Sequence, residues 1–481
     1  MNVVILTDSD TGFVRVPLKS IGAYKVASAL RSSNIDTIVI SHFLKLADFY
    51  PKELFTLLSK VVKNDTIFLG ISATFLKIKP LSKEHKVIIS ILNFVKKLAP
   101  NIKIVVGGSL LENVSTIAQI SKANHIIKGY ADSTIIKLYH DILNKKSLSY
   151  IIDDDPLAKD YDFSNCTPSY SSIDGIQKEE ALLLEVSRGC RFKCKFCNFV
   201  LLGRNPKTDK YIRTRYSLAK ELEYNYANFN TTDYLITCDT FNETTEKLET
   251  VYSAIKDVGI KINFSCYLRL ELINVNREQI SLLKEMGIKS ATFGIESLND
   301  KAAKTVGKGL GKDKLKSLLE DIYKTWGEDV RTQSNLIVGL PYDSVESINA
   351  WMSSIENNYL KIHNFTISPL GLFDGYDTEF NKHPEKYGYK LTETGWQNEY
   401  MDQQEAGRLA MYWAERLKKR NSYLGLEGVT GFRNYGWDYD KILSISMNDY
   451  ENMSDIMKEQ NKIFYKKYLN KMLFHNQGEN K

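Results

Sequence analysis

Cys190, Cys194 and Cys197 lie in the run Ser-Arg-Gly-Cys-Arg-Phe-Lys-Cys-Lys-Phe-Cys-Asn-Phe, with three residues and then two between the sulfurs. Three thiolates this close can hold three irons of a cubane iron–sulfur cluster, which leaves the fourth iron open to a small molecule. An open coordination position is what separates a reactive metal centre from a structural one. Zinc is the rival reading. It usually takes four ligands, from paired C-x-x-C knuckles or completed by histidine. No second knuckle exists here, and no histidine lies between His140 and His363. Six cysteines in 481 residues are also too sparse for a disulfide framework.

The composition, 43% hydrophobic and 25% charged, is that of an ordinary globular chain long enough for two or three domains. No stretch approaches the eighteen or so apolar residues of a membrane span, and the start Met-Asn-Val-Val-Ile-Leu-Thr-Asp lacks the basic head of a signal peptide. A reducing cytoplasm is the expected location, with no membrane partner. A net charge of +6 is small for this length and gives no indication of nucleic-acid binding. The run Lys418-Lys419-Arg420 reads as a solvated helix end.

The elements that must position the thiols fall into segments. Residues 1–148 alternate β-branched runs with amphipathic helices, the pattern of a doubly wound α/β domain. Strands are expected at Val3–Thr7, Thr37–Ile40, Thr66–Ile71, Lys103–Val106 and His125–Lys128, and helices at Ser20–Arg31, Glu84–Leu98 and Ser133–Leu143. The ligand crevice of such a domain lies at the carboxyl ends of its strands. There the Gly107–Gly108 pair permits close backbone approach. Residues 149–180 read as a linker, punctuated by Asp153-Asp154-Asp155-Pro156 and Thr167–Ser172, with Cys166 as a spare small hydrophobe. Residues 181–370 alternate again, with strands at Ala181–Val186, Tyr234–Thr237, Lys261–Tyr267, Ser290–Ile295, Asn335–Val338 and Phe365–Ser368. Between them, Asn276 with Gln279 forms a capping-box pattern for a helix that Gly287 stops. Residues 371–481 read as mainly helical, near Asp402–Arg420 and Asp455–Met472, and could cover a substrate. Trp396, Tyr400, Trp413 and Phe432 in this part read as core packing before cavity lining.

The cysteine spacing, with Phe196 just before the last sulfur, resembles the signature of the radical SAM superfamily. The resemblance implies a partial (β/α)6 TIM-like barrel for the second segment. It implies a [4Fe-4S] cluster whose open iron binds S-adenosylmethionine (SAM) by its amino and carboxylate groups. An electron then cleaves the sulfonium to a 5'-deoxyadenosyl radical, so an electron donor such as flavodoxin or ferredoxin is implied too. The first segment, placed directly before this core, resembles the Rossmann-like cobalamin-binding domain of one large branch. By that resemblance Ser72, Thr74, Gly107 and Gly108 would contact cobalamin. One departure is plain: the Asp-x-His-x-x-Gly loop that supplies the lower-axial ligand is missing, since residues 8–41 contain no histidine.

The same resemblance nominates a SAM site. Phe196 would border the adenine. Asp239, in Thr237-Cys238-Asp239-Thr240-Phe241-Asn242, would take the SAM amino group, although Cys238 stands where the branch commonly has a first aspartate; Asp239 or Asn242 could instead cap the next helix. Arg269 would meet the SAM carboxylate, or else pair with Glu271. Glu296, with Ser297 beside it, would accept from the ribose hydroxyls. Gly339 and Pro341, in a Gly-Leu-Pro turn with Glu346 beyond, would let the adenosyl group approach, and Ile367–Leu370 would border the adenine. The Arg213-x-Arg215 pair and the stretch from Asn225 also look like the cobalamin-linked branch. The implied activity is radical chemistry started by SAM cleavage, with cobalamin-dependent methylation of an unactivated carbon or phosphorus foremost. A cobalamin-independent rearrangement, cyclisation or methylthiolation is the alternative, the last disfavoured because Cys166, Cys238 and Cys266 are too scattered for a second cluster. A non-catalytic nucleic-acid-binding protein with a structural metal is the alternative from another class.

Overall fold

Short β-branched runs separated by amphipathic helices fold into two six-stranded sheets in the computed structural model. It describes residues 1–8, 16–109, 111–153, 162–164, 170–199, 201–372, 378–418, 421, 424–446 and 449–474. Cys166, Asp154-Asp155-Pro156, residues 167–169, Lys419 and Arg420 lie outside the described residues, as do residues 9–15. Among the described residues no helix is long and apolar enough to cross a membrane.

The first sheet contains β1 (Asn2–Thr7), β2 (Asp36–Ser41), β3 (Phe68–Ser72), β4 (Lys103–Gly108), β5 (His125–Lys128) and β6 (Ile151–Asp153), in the order β2-β1-β3-β4-β5-β6. Every pairing in it is parallel. The winding direction reverses between β1 and β3, so a crevice opens at the carboxyl ends of those strands. Val4, Leu6, Leu69, Ile104 and Val106 are buried in its core, because parallel strands are covered on both faces and read as near-continuous apolar runs. The expected doubly wound fold is therefore present, with a sixth strand that the sequence reading assigned to the linker. Three residues are too short to show a period.

The linker assignment for 149–180 needs correction, as does the last boundary. The chain divides into one unit of Met1–Leu183, Tyr216–Thr231 and Asp455–Lys481, and another of Leu184–Arg215 and Thr232–Ser454. Residues 170–180 are tied into the first unit by buried charge. Lys19 pairs with Glu180, both side chains fully buried, and Arg31 grips Asp174 with two hydrogen bonds of 2.9 and 2.7 Å. The last helix, Tyr450–Phe474, places Phe464, Tyr465, Tyr468 and Leu469 in the core of that same unit. Tyr468 reaches it because Gly175 adopts φ +66°, where a Cβ would lie 2.7 Å from the tyrosine ring.

The second sheet contains β7 (Leu182–Leu184), β8 (Asp233–Ile236), β9 (Asn263–Leu268), β10 (Ile288–Glu296), β11 (Arg331–Val338) and β12 (Asn364–Pro369), neighbours in chain order. The pairs from β8 to β12 are parallel. Six consecutive strands joined by helices give the expected partial barrel. Phe293 of β10 stacks on Trp326 of the helix Lys312–Trp326, at 6.3 Å and 20°. By strand alternation the register partners Ser265–Ser290 and Tyr267–Thr292 occupy the opposite face. That inner face is polar.

Residues 371–454 are mainly helical, with a small antiparallel hairpin at Lys390–Thr392 and Gly395–Gln397. Trp396, Trp413 and Phe432 are buried, as core packing requires, whereas Tyr400 is exposed. The capping box expected at Asn276 does not form. Asn276 Oδ1 accepts from the Glu278 amide at 3.1 Å, and Gln279 turns its carbonyl to Asn242 instead. Gly287 ends that helix at φ +101°, as expected.

Candidate active site

The cysteine loop leaves β7 and is held by backbone bonds to its own return. The Cys190 amide donates to the Leu201 carbonyl at 2.9 Å, the Arg204 amide to Cys190 at 3.1 Å and the Cys197 amide to Cys194 at 3.0 Å. Gly189 permits this closure at φ +106°, since a Cβ there would lie 2.7 Å from Leu201. Cys190 is buried, Cys194 and Cys197 are half-buried, and all three are free thiols. Burial pushes the Cys197 thiol up to about 12, and the neighbouring Cys194 and Cys190 push in the same direction. A cationic metal is what would keep such buried sulfurs as thiolates. Among the described residues no three histidine, cysteine or acidic side chains are close enough to hold a single ion. In a cubane each thiolate takes a separate iron, and three cysteines within eight residues fit that donor set.

Beneath the loop lies a buried network that the sequence reading missed. Glu243 Oε1 accepts from the Arg191 amide at 2.7 Å and the Tyr211 hydroxyl at 2.5 Å. Its Oε2 pairs with Lys247 at 3.2 Å, and Lys247 also donates to Ser187 Oγ at 2.6 Å and the Thr240 carbonyl at 2.9 Å. Thr240 in turn meets Cys190 Sγ at 3.4 Å. The one sequence signal is an acidic and a basic residue four apart at a helix start, a spacing shared by many surface pairs.

The carboxyl ends of the next strands carry the nominated SAM residues. After β8, Asp239 is half-buried, and burial pushes its carboxyl up to about 6 against the pull of Lys247. Asn242 is not a helix cap; Thr244 caps the helix Thr245–Val258. Asn242 instead clasps both backbone groups of Arg269, at 2.8 and 3.1 Å. Arg269 stands over the Phe192 ring at 3.9 Å, pairs with Glu271 at 3.2 Å, and donates to the Gly307 carbonyl and to Cys194 Sγ, the last at 3.6 Å. Glu296 closes β10 at φ +68°, buried, with Lys308 at 3.5 Å. Desolvation raises its pKa and Lys308 opposes the shift. Gly294 lies beside the pair, and a Cβ there would displace the ends of the Glu296 and Lys308 side chains. Ser297 donates to Asp343 at 2.8 Å. Pro341 is buried, Phe196 is half-buried and Glu346 is exposed in the first turn of the helix Val345–Glu356. Gly339 sits at φ +96°, but the space a Cβ would take is filled by Trp396 rather than left open. The Tyr389 hydroxyl donates to its carbonyl at 2.8 Å.

The barrel interior holds one more acidic group. Tyr267 donates to Glu427 at 3.1 Å, and Glu427 belongs to the helix Leu426–Gly431, which packs on the inner face. No motif marks that pair.

In the first unit the four residues nominated for cobalamin meet at the carboxyl ends of β3 and β4. Ser72 lies opposite Gly107. Thr74 Oγ1 accepts from the Ser109 amide at 3.2 Å, and its carbonyl accepts from Asn113 at 2.8 Å. At Gly108, φ is +152° and a Cβ would lie 2.7 Å from Thr74 Oγ1. As at Gly339, the space a Cβ would take at Gly108 is filled by the chain itself, here by Thr74 and Val114. His42, which follows β2, packs against Tyr465 at 5.3 Å, and burial drives its pKa well below the usual range.

Residues 184–355 match the Radical SAM superfamily model. A radical SAM domain implies a [4Fe-4S] cluster and SAM. Among characterised relatives, the bacteriochlorophyllide d C-8(2)-methyltransferase of Chlorobaculum tepidum is 22% identical over 277 residues, 55% of this chain and 59% of that protein. The match thus spans less than two thirds of the relative's length. Two solved structures share the fold. One is the radical S-adenosylmethionine methyltransferase TsrM from Kitasatospora setae, with a TM-score of 0.59, 14% identity, and coverage of 81% of this chain and 77% of that one. The other is the cobalamin-dependent S-adenosylmethionine radical enzyme OxsB, with a TM-score of 0.60, 14% identity, and coverage of 96% and 72%.

Proposed function

We propose that this protein is a radical SAM enzyme that carries a [4Fe-4S] cluster on Cys190, Cys194 and Cys197 and methylates an unactivated centre with the help of cobalamin. The observation that carries the reading is the gathering of three free thiols, Asp239, Arg269 and Glu296 at the carboxyl ends of four consecutive barrel strands, the place where such barrels do chemistry. A cluster held by Cys190, Cys194 and Cys197 would supply the electron for reductive cleavage of SAM, and cobalamin held at Ser72, Thr74, Gly107 and Gly108 would supply the methyl group. The chain's own residues bind and orient. Asp239 would accept from the SAM amino group and Glu296, paired with Lys308, from the ribose hydroxyls. Ser297, fixed by Asp343, holds the end of β10 in place. Ser72, Thr74, Gly107 and Gly108 form the rim where a corrin would lie. An electron donor of the flavodoxin or ferredoxin kind completes the system, in a reducing cytoplasm. The lack of histidine in residues 8–41 favours, as a second reading, an enzyme that works without cobalamin.

The test is anaerobic reconstitution with iron and sulfide, followed by reductant, SAM and hydroxocobalamin. Formation of 5'-deoxyadenosine is expected, with corrinoid absorbance retained after gel filtration. Cys194→Ala should abolish deoxyadenosine formation; undiminished formation in that variant would overturn the cluster assignment. Loss of all corrinoid from an otherwise active protein selects the second reading.

A further inference from the structure

Arg269 was expected at the SAM carboxylate, yet each of its three guanidinium nitrogens already faces a partner. It lies flat over Phe192, two residues after the first cysteine, at 3.9 Å. Nη1 points to Cys194 Sγ at 3.6 Å and Nη2 to the Gly307 carbonyl, while Nε faces Glu271 at 3.2 Å. The side chain is nearly buried, at 8% exposure. Its backbone is equally fixed, since Asn242 accepts from its amide and donates to its carbonyl, and the other Asn242 hydrogen bond goes to the buried Gln279. Gly307 itself comes within 3.9 Å of the Cys194 backbone at its Cβ position. A planar five-donor fork is suited to such a multi-point clamp, which a lysine cannot reproduce.

We infer that Arg269 is a positioning residue for the iron–sulfur cluster, clamping the cysteine loop to the Gly307 turn and donating to the Cys194 sulfur, and not the group that holds the SAM carboxylate. The inference rests on the cluster assignment above. A hydrogen bond and a positive charge at a ligating sulfur stabilise the more negative, reduced cluster and so raise its reduction potential. Glu271 offsets part of that charge but leaves the Nη1 hydrogen bond in place.

The experiment compares wild type, Arg269→Gln and Arg269→Lys after anaerobic reconstitution, with iron and sulfide counted for each. The readouts are the cluster midpoint potential, from a titration followed by electron paramagnetic resonance, and the SAM dissociation constant by equilibrium dialysis. Expected for Arg269→Gln is a fall of about tenfold in the reduced fraction at a fixed solution potential, equivalent to about 59 mV for one electron, with SAM affinity within about twofold of wild type. Arg269→Lys keeps the charge but not the fork and should fall between. A potential unmoved in both variants, or a tenfold loss of SAM affinity with the potential unmoved, overturns the inference. If Arg269→Gln takes up no cluster, the potential of Arg269→Lys decides. A wild-type protein that itself assembles no cluster sinks the cluster assignment and this inference with it, an outcome distinct from the others.

Discussion

Replacing Glu243 should loosen the cysteine loop before it alters any group that touches SAM. Its carboxylate is fully buried and serves three donors: the Arg191 amide, the Tyr211 hydroxyl and the Lys247 ammonium. In Glu243→Gln one oxygen remains to accept, but an amide N–H now faces the Lys247 ammonium. A buried ion pair that loses one partner is destabilised by about 3–5 kcal/mol, because the other charge stays buried and uncompensated. At about 1.4 kcal/mol per tenfold, local opening should become roughly two to three and a half powers of ten more frequent. Lys247 still has Ser187 Oγ and the Thr240 carbonyl, so the lower end is the better expectation.

The assay is amide hydrogen exchange of the peptide spanning residues 187–204, read by mass spectrometry on apo-protein, together with iron bound per chain after reconstitution. Glu243→Gln should exchange faster by that factor and bind less iron. Glu243→Gln combined with Lys247→Met removes both charges and should recover most of the protection, since an apolar replacement for a buried pair is often neutral. Exchange within threefold of wild type in the single variant, or a double variant as exposed as the single, would refute the reasoning.

Gly339→Ala should lower stability by about 2–5 kcal/mol, combining a left-handed backbone for a residue with a Cβ, about 1–2 kcal/mol, with overpacking against Trp396, about 1–3 kcal/mol; an unchanged melting temperature by tryptophan fluorescence would contradict the contact. Asp343 is fully buried and its carboxyl is pushed up to about 6 from 3.8. The folded state therefore holds that proton more tightly than the unfolded one, and stability is lost as the pH rises from about 4 through 6. About two units correspond to about 3 kcal/mol. Asp343→Asn lacks this loss, so urea midpoints should shift in the variant's favour across that window; parallel pH profiles for the two proteins would argue against it.

What was legible in the sequence is what lies close together in it. The cluster ligands fall within eight residues, and most strands show as β-branched runs a few residues long, so thiols, sheets and winding could be read without coordinates. Contacts across large separations could not. Glu243 meets Arg191 across fifty-two residues and Arg269 meets Cys194 across seventy-five, and neither Glu243 nor Arg269 differs in type from many surface residues. Gly339 read as an opening for a ligand, because a glycine states only that a Cβ is absent and not what fills the space. Residues 149–180 read as a linker on the turn formers Asp153-Asp154-Asp155-Pro156 and Thr167–Ser172, a pattern that is blind to the distant partners of Asp174 and Glu180. Burial of their partners Arg31 and Lys19 turns those charges into ties.

The polar inner face of the barrel explains why residues 371–454 belong to the second unit and are not a detachable cover. A strand whose inward side chains are Asn263, Ser265 and Tyr267 needs partners for them if it is to be covered. Partners for polar groups of the second sheet come from residues 424–439. Thr430 meets Ser265 at 2.7 Å, the Tyr439 hydroxyl and Arg433 reach Asp233 at 2.6 and 3.3 Å, and the Leu424 carbonyl accepts from Asn364 at 2.7 Å. Gly425 is what allows the close approach, since a Cβ there would collide with Gln333. Most of these contacts sit toward the amino-terminal ends of the strands, whereas Trp396 and Tyr389 of the same segment pack against Gly339 at the carboxyl end of β11. The same insertion carries Glu427 to Tyr267. A carboxylate from outside the matched residues 184–355 is thereby brought to the barrel strand β9.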